Sequence, residues 1–582
     1  MNTRAFFLLM LALLGGFIYL EWQRDYSAPP ALEADPISGP TAGQPASSSS
    51  QDFAASEGVP SVSDGADLPD LPDISDSRDR SGDDVPGLTE APSMVASRRV
   101  HIVTDVLSVD LDANGGTLVD LRLKDYPVEV DQPDTPFVLL KEEIPELFVA
   151  QAGLLSRDSD APNHTTRWEY ERDSYELGPE QDELRIPLRW SNDQGLEVVA
   201  TWIFYRSDYV VDVEMTVRNR SGEAWRGARY VQLQRTEPDF SDDGPAFTNP
   251  EQFSYNGAAI YSPETKMTKR GFDDIREMDF SSTIDGGWAA MIQHYFLAAW
   301  IPPAGQTHQY TTRFIDYQGL PRYVVAATSP QVDVPDGFDH TFAARLYAGP
   351  KLQNRLDEIA EGLKLSVDYR FFRIISQPLF WALDKIHIVI GHWGWSIVVL
   401  TLLIKLIFYK LTEAQFRSMG KMRKLQPRIQ ALKERYGDDR QKFGQAMMDI
   451  YKTEKVNPLG GCLPILVQIP IFISLYWVLL ESVELRQTPF LWVPDLSRPD
   501  PYFILPILNG VFMIVTQRLM PTAGMDPMQR KIMMWLPVIF AFMFALFPAG
   551  LVLYWATNAG ISLAQQWYIL RRLDQEDARK RA

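Results

Sequence analysis

The stretch that decides the fold is Trp393-Gly394-Trp395-Ser396-Ile397-Val398-Val399-Leu400-Thr401-Leu402-Leu403-Ile404-Lys405-Leu406-Ile407-Phe408-Tyr409-Lys410-Leu411. It is apolar almost throughout, and near the ~20 residues that cross ~30 Å of hydrocarbon. Four more runs of similar character come after it: Leu459–Leu480, Tyr502–Leu519, Ile532–Phe547 and Leu551–Leu570. Only Pro548-Ala549-Gly550 separates the last two, which predicts a tight helical hairpin. At the start of the chain Arg4 precedes an apolar run from Ala5 to Leu20, the pattern of a signal peptide or a signal anchor. No small-x-small cleavage site comes after it, so an uncleaved anchor is the expectation and a cleaved signal the alternative. Together these runs predict six spans, and a polytopic α-helical bundle in the back third of the chain.

Charge orients the bundle. The chain of 582 residues has a formal charge of −19, and that total hides a segregation. Residues 25–97 sum to −12, residues 98–373 to −17 and residues 374–582 to +9. The loop Thr412–Pro458 holds 11 Lys or Arg against 6 Asp or Glu, whereas Glu481–Pro501 holds two against four. Basic short loops stay in the cytoplasm. Six spans starting inside therefore predict a cytoplasmic basic loop and tail, with residues 25–392 outside. The acidity of the chain argues against DNA as a partner. One cysteine, Cys462, excludes an intrachain disulfide and Cys-ligated metal sites.

Between anchor and bundle lie two different textures. Residues 25–97 are rich in Pro, Ser, Asp and Gly with few aromatics, so they predict a disordered acidic linker. Beyond them, Val106–Leu111, Glu197–Tyr205 and Tyr209–Val217 alternate polar with apolar, and Asn114-Gly115-Gly116 and Asp285-Gly286-Gly287 supply turn signals. Period-two segments at this spacing predict an all-β sandwich. The predicted organisation is an anchor over 1–24, a linker over 25–97, a β-domain over 98–365, an amphipathic helix at the outer interface over 366–392, a core over 393–570 with a cytoplasmic hairpin at 412–457, and a basic tail over 571–582. The segment 366–392 also reads as a linker helix packed on the β-domain.

Within the runs, Lys405 is the one buried-looking charge of Trp393–Leu411. A charge in a span is costly unless it snorkels or faces a wet cavity. Both readings are open, because Lys405 lies ~9 Å along a helix from the cytoplasmic end. Thr401 precedes it by one turn, on the same face. Gln468, Gln517, Asn558, Gln565 and Gln566 lie in other runs; singly each reads as an interhelical hydrogen bond, jointly as a wetted face of the bundle. In the loop, Met422, Leu425, Ile429, Leu432 and Tyr436 are spaced 3, 4, 3, 4, and Phe443, Met447 and Ile450 resume after Gly437-Asp438-Asp439. This predicts an antiparallel helical hairpin carrying Arg417, Lys421, Arg423, Lys424 and Arg428. Those cations serve topology and solubility, or attract anionic phospholipid or ribosomal RNA.

Absences narrow the function. No Asp or Glu lies inside a run and all seven histidines lie outside them, which argues against a proton-coupled pump. No P-loop, His-Glu-x-x-His or Gly-x-Ser-x-Gly motif is present, so neither an enzyme nor a cofactor is expected. A solute channel and a structural assembly factor built on the outer domain stay open as rival functions.

The resemblance is carried by Ile375-Ser376-Gln377-Pro378-Leu379-Phe380, Lys455-Val456-Asn457-Pro458-Leu459-Gly460-Gly461-Cys462, Ser482-Val483-Glu484-Leu485-Arg486-Gln487, Ile504-Leu505-Pro506-Ile507-Leu508, Pro548-Ala549-Gly550-Leu551-Val552-Leu553-Tyr554 and, in the β-region, Gly286-Gly287-Trp288-Ala289-Ala290-Met291. In these residues the chain resembles the YidC membrane protein insertase family of Gram-negative bacteria. The resemblance implies a β-supersandwich similar to galactose-mutarotase-like folds, without sugar chemistry, and a five-helix core. It implies a hydrophilic groove open to the cytoplasm and to lipid, with Lys405 as its charge where some relatives carry Arg. Lys410 stands where many relatives have Pro, and Trp555 where some have a second Tyr. Thr401, Gln468, Gln517, Tyr554, Trp555 and Asn558 would complete the groove. The implied activity is ATP-independent insertion and folding of nascent inner-membrane proteins, alone or with the Sec translocon, with the ribosome and anionic phospholipid as further partners.

Overall fold

The computed structural model describes residues 99–581 except 158, 241–253, 318, 437–438, 455–462 and 520–526. The expected anchor, the acidic linker and the motif Lys455–Cys462 lie outside the described residues.

Val210–Asn219 shows how the outer domain is built. Val211, Val213, Met215 and Val217 are buried, while Asp212, Glu214, Thr216 and Arg218 face outward. Its partner Asp339–Pro350 supplies matching groups across the ladder: Arg345 Nε donates to Asp212 Oδ1 at 2.9 Å, and the hydroxyls of Thr216 and Thr341 lie 2.9 Å apart. Repeated over successive hairpins, this alternation gives one sheet of 11 strands and one of nine among the described residues. Trp202 and Trp300 fill the space between them, their rings 6.4 Å apart. Trp300, on one sheet, donates its indole N–H to the carbonyl of Gln232 on the other at 3.0 Å. The expected all-β sandwich is therefore present, and Leu107–Asp112, Leu196–Tyr205 and Val210–Asn219 fall on the alternating segments. Gly287 closes a turn at φ +83°, with the carbonyl oxygen of Tyr261 2.2 Å from where a Cβ would stand.

The helical part comprises α1 (Arg373–Ile390), α2 (Trp393–Ile407), α3 (Tyr409–Tyr436), α4 (Arg440–Thr453), α5 (Leu463–Glu481), α6 (Ile504–Arg518), α7 (Pro527–Phe544) and α8 (Ala549–Arg581). In α1, Ser376, Phe380, Leu383 and Asp384 are buried, whereas Ile374, Trp381, Ile388 and Val389 are exposed. Two faces of opposite surroundings are what an amphipathic helix offers. Leu425 and Ile429 of α3 pack with Met422, Phe443, Met447 and Ile450, so α3 and α4 lie together as a hairpin.

One expectation needs correction. Trp393–Leu411 is not a single straight helix: it breaks at Phe408, and α2 and α3 are bent by 67°. The burial pattern changes there. Up to Lys405 the buried stripe is turned toward the bundle; beyond Lys410, which is exposed, Thr412, Phe416 and Met419 take over, with Phe416 and Met419 packing on Ile569. Hydropathy reads one apolar run, whereas packing needs two axes. Among the described residues no single helix is long and apolar enough to cross a membrane; the bent pair α2 and α3 passes together, and Gln468–Glu481, Ile504–Arg518 and Lys531–Phe544 are shorter apolar helices.

Candidate functional site: a buried lysine between three helices

Spacing places the lysine. In α2, Ile397, Leu400, Thr401, Ile404 and Lys405 recur every three or four residues and are buried, while Leu402, Leu403, Leu406 and Ile407 are exposed. Lys405 thus points into the bundle, with 6 % of its surface exposed. Its ammonium donates to Ser562 Oγ of α8 at 2.7 Å. The Ser562 hydroxyl donates onward to the carbonyl of Asn558 at 2.7 Å, and Gln468 Nε2 of α5 donates to Asn558 Oδ1 at 2.8 Å. Lys405, Ser562, Asn558 and Gln468 therefore form one polar chain that crosses three helices.

Beside it lies a cavity of about 20 Å³, lined by Ile404, Lys405, Phe408, Leu411, Thr412, Gln468 and Ile471. That is room for about one water. An ammonium carries three donors, and the hydroxyl of Ser562 takes one. Among the described residues no carboxylate comes within 4.0 Å of it. Among the described residues the site is a cation in mainly apolar walls, with hydrogen-bonding capacity to spare and no counter-charge. Such a group attracts an anionic or hydrogen-bond-accepting segment.

The other expected residues divide. Thr401 is buried beside Lys405, but its hydroxyl donates to the carbonyl of Ile397 at 2.7 Å within its own helix. Gln468 and Asn558 join the chain. Gln517 does not: its amide donates to the carbonyl of Met533, tying α6 to α7. Its place near the end of α6 gives it that nearer acceptor. Tyr554 is fully buried. Trp555 is wedged edge-on against Phe472 at 4.6 Å and tilted against Phe544 at 5.2 Å. Gln566 is buried further along α8. Ser562 went unread in the sequence, although Asn558, Ser562 and Gln566 recur every four residues and so mark one polar stripe on α8. A hydroxyl in an apolar run reads as a weak signal until a cation is known to face it.

On the hairpin, Arg417 pairs with Glu413 at 3.0 Å and with Glu576 at 3.8 Å, and Arg428 with Glu454 at 2.6 Å. Lys421, Arg423 and Lys424 are exposed.

Comparison with known proteins covers both halves of the chain. The family model described as the YidC periplasmic domain matches residues 99–382, and that described as 60Kd inner membrane protein matches residues 385–576. The membrane protein insertase YidC of Methylococcus capsulatus is 46% identical, over 89% of this chain and 93% of its own length. That of Alkalilimnicola ehrlichii is 44% identical, over 100% of this chain and 97% of its own. A solved structure of an active YidC insertase with its first transmembrane domain resolved aligns at 18% identity and a TM-score of 0.37, covering 81% of this chain and 93% of that one. With both halves matched in order and near-full-length similarity to curated relatives, the chain belongs to the YidC membrane protein insertase family.

Proposed function

We propose that the chain inserts nascent membrane proteins into the bacterial inner membrane through a groove whose working charge is Lys405. The observation that carries this reading is a buried ammonium bonded only to a neutral hydroxyl among the described residues, at the meeting of α2, α5 and α8. An incoming apolar segment with a short acidic or polar outer tail would place that tail beside Lys405. The cation offsets part of the cost of carrying the tail to mid-bilayer. The apolar segment then partitions into lipid, at ~25 cal/mol per Å² removed from water. Partitioning supplies the free energy, so neither ATP nor a through-pore is required, and the protein acts as insertase and chaperone rather than as a catalytic enzyme.

The same reading assigns six spans, the β-domain to the periplasm, and the α3–α4 hairpin with the end of α8 to the cytoplasm. It rests on the distribution of basic residues in short loops. Exposed Lys421, Arg423 and Lys424 suit contact with the ribosome, the Sec translocon or anionic phospholipid. Thr401, Tyr554 and Trp555 shape the walls, and Gln468 with Asn558 holds the polar chain.

In a strain depleted of its own insertase, Lys405→Ala is expected to impair insertion of acidic-tailed single-span substrates, and Lys405→Arg to preserve it. Equal insertion by the Ala variant sinks the role given to the charge. Flux of small solutes through proteoliposomes without nascent chains would favour a channel instead.

A further inference from the structure

The outer end of α5 is plugged into the β-domain. Glu481, the last residue of α5, and Lys351, which comes directly after the strand Asp339–Pro350, form an ion pair of 3.2 Å with each side chain only 1% exposed. The other oxygen of Glu481 accepts from Ser254 Oγ at 2.7 Å, and Lys351 also donates to the carbonyl of Ser366 at 3.4 Å. The residues on either side are held too. The carbonyl of Leu480 meets His294 Nε2 at 2.9 Å, and Ser482 Oγ accepts from Gln353 Nε2 at 3.3 Å. Three consecutive residues at a helix C-terminus, where unpaired carbonyls and the negative dipole end collect, thus find partners in the β-domain. Burial and the Lys351 charge push His294 down to about 3. It is therefore neutral at pH 7, and the acceptor facing Nε2 places its proton there.

The inner half of the same helix carries Gln468, thirteen residues before Glu481 and ~20 Å away along the axis. Between them, the carbonyl of Ser474 accepts from Ser376 Oγ of α1 at 3.2 Å. Pro470 interrupts the backbone ladder of α5 just beyond Gln468, and Ser474 Oγ donates to its carbonyl at 2.7 Å. The helix is fixed at one end and bonded to Asn558 at the other, so a shift at the socket is passed along it to the polar chain.

We infer that Lys351 and Glu481 are positioning residues for insertion: the β-domain grips α5 through this buried pair and so sets the placement of Gln468 on Asn558 beside Lys405. The inference rests on the insertase reading. It has an unusual corollary. Removing one partner leaves a lone buried charge, which is worse than removing both. Lys351→Met should therefore be more damaging than Lys351→Met combined with Glu481→Gln.

The test uses the full chain in membranes, with Cys462→Ser as background and a Gln468→Cys, Asn558→Cys pair to report helix placement by disulfide yield, normalised to protein abundance. Insertion is measured in parallel without the reporter pair. Lys351→Met is expected to lower both readouts by about fivefold or more, the double variant to recover both in part, and Lys351→Arg to retain them. If Lys351→Met does not accumulate, Gln353→Leu cuts the bond to Ser482 Oγ without stranding a charge, and a cross-link yield lowered at least twofold is expected. Undiminished insertion with unchanged cross-linking in Lys351→Met, or in Gln353→Leu where that variant carries the test, overturns the inference. Failure of the unsubstituted chain to insert any substrate overturns the insertase reading instead, whatever the cross-links show.

Discussion

Lys405 Nζ and Ser562 Oγ meet at 2.7 Å although 157 positions separate them in the chain. The bond joins α2 to α8 and explains how a lysine stays buried in an apolar helix face. Ser562→Ala removes that acceptor and leaves the ammonium in walls that are mainly apolar. The expected cost is about 1–3 kcal/mol, seen as a lower unfolding midpoint in detergent, while Ser562→Thr retains the bond and the midpoint. An unchanged midpoint in the Ala variant would mean that Lys405 is held by other groups.

The link between Gln468 and Asn558 lends itself to a double-mutant cycle. Replacing either by Leu should cost stability, and the coupling between the two should be about 0.6 to 1.7 kcal/mol, as for other hydrogen bonds between membrane helices. A coupling near zero would show that the 2.8 Å contact does not hold α5 to α8.

Glu484 predicts a pH dependence outside the spans. Burial raises its carboxyl from the usual 4.5 to about 7, against the opposing pull of the hydrogen bond from the Gln353 N–H. The folded state holds this proton more tightly than the unfolded chain does. Stability is therefore fully present below about 4.5 and is lost as pH rises through about 7. The shift corresponds to about 3 kcal/mol at most. Chemical denaturation followed between pH 4.5 and 8 should show this decline, and Glu484→Gln should flatten it. A wild-type profile that rises across the window would contradict the assignment.

The hairpin separates packing from charge. Ile429→Ala empties a site packed against α4 and is expected to cost about 2–4 kcal/mol locally, read as faster amide exchange across Arg440–Thr453. Arg428→Ala breaks an exposed pair with Glu454 and should change exchange little, since such pairs are worth at most about 1 kcal/mol. Equal effects from the two would refute this division.

In the β-domain, Gly287→Ala combines a positive φ with a Cβ 2.2 Å from the Tyr261 carbonyl oxygen. The strands Gly257–Ser262 and Trp288–Ile292 must separate to admit it. Loss of more than ~3 kcal/mol is expected; Gly305→Ala, also at positive φ but with open space around it, should cost less. Calorimetry of the two variants compares them directly.

Local pattern determined much of this protein before any packing was known. Alternation in Val210–Val217 specified strands with one buried face, since side chains of a strand point alternately to two sides. The 3-and-4 spacing of Leu425, Ile429, Phe443 and Met447 specified a hairpin seam, and Lys405 with Thr401 was placed on one helix face by the same arithmetic. Tertiary structure decided what those faces meet. The bend at Phe408 is invisible to hydropathy, which sums transfer free energies and ignores axes. Gln517 and Gln468 look alike in sequence, yet one finds the carbonyl of Met533 and the other Asn558, because a buried amide takes whichever acceptor packing brings near. Ser562 and the pairing of Lys351 with Glu481 are contacts between distant segments, and Glu481 reads in sequence as one more loop acid. Periodicity sets which side of an element is buried; only the packed chain sets which groups share that interior, and the low dielectric there is what makes their pairing matter.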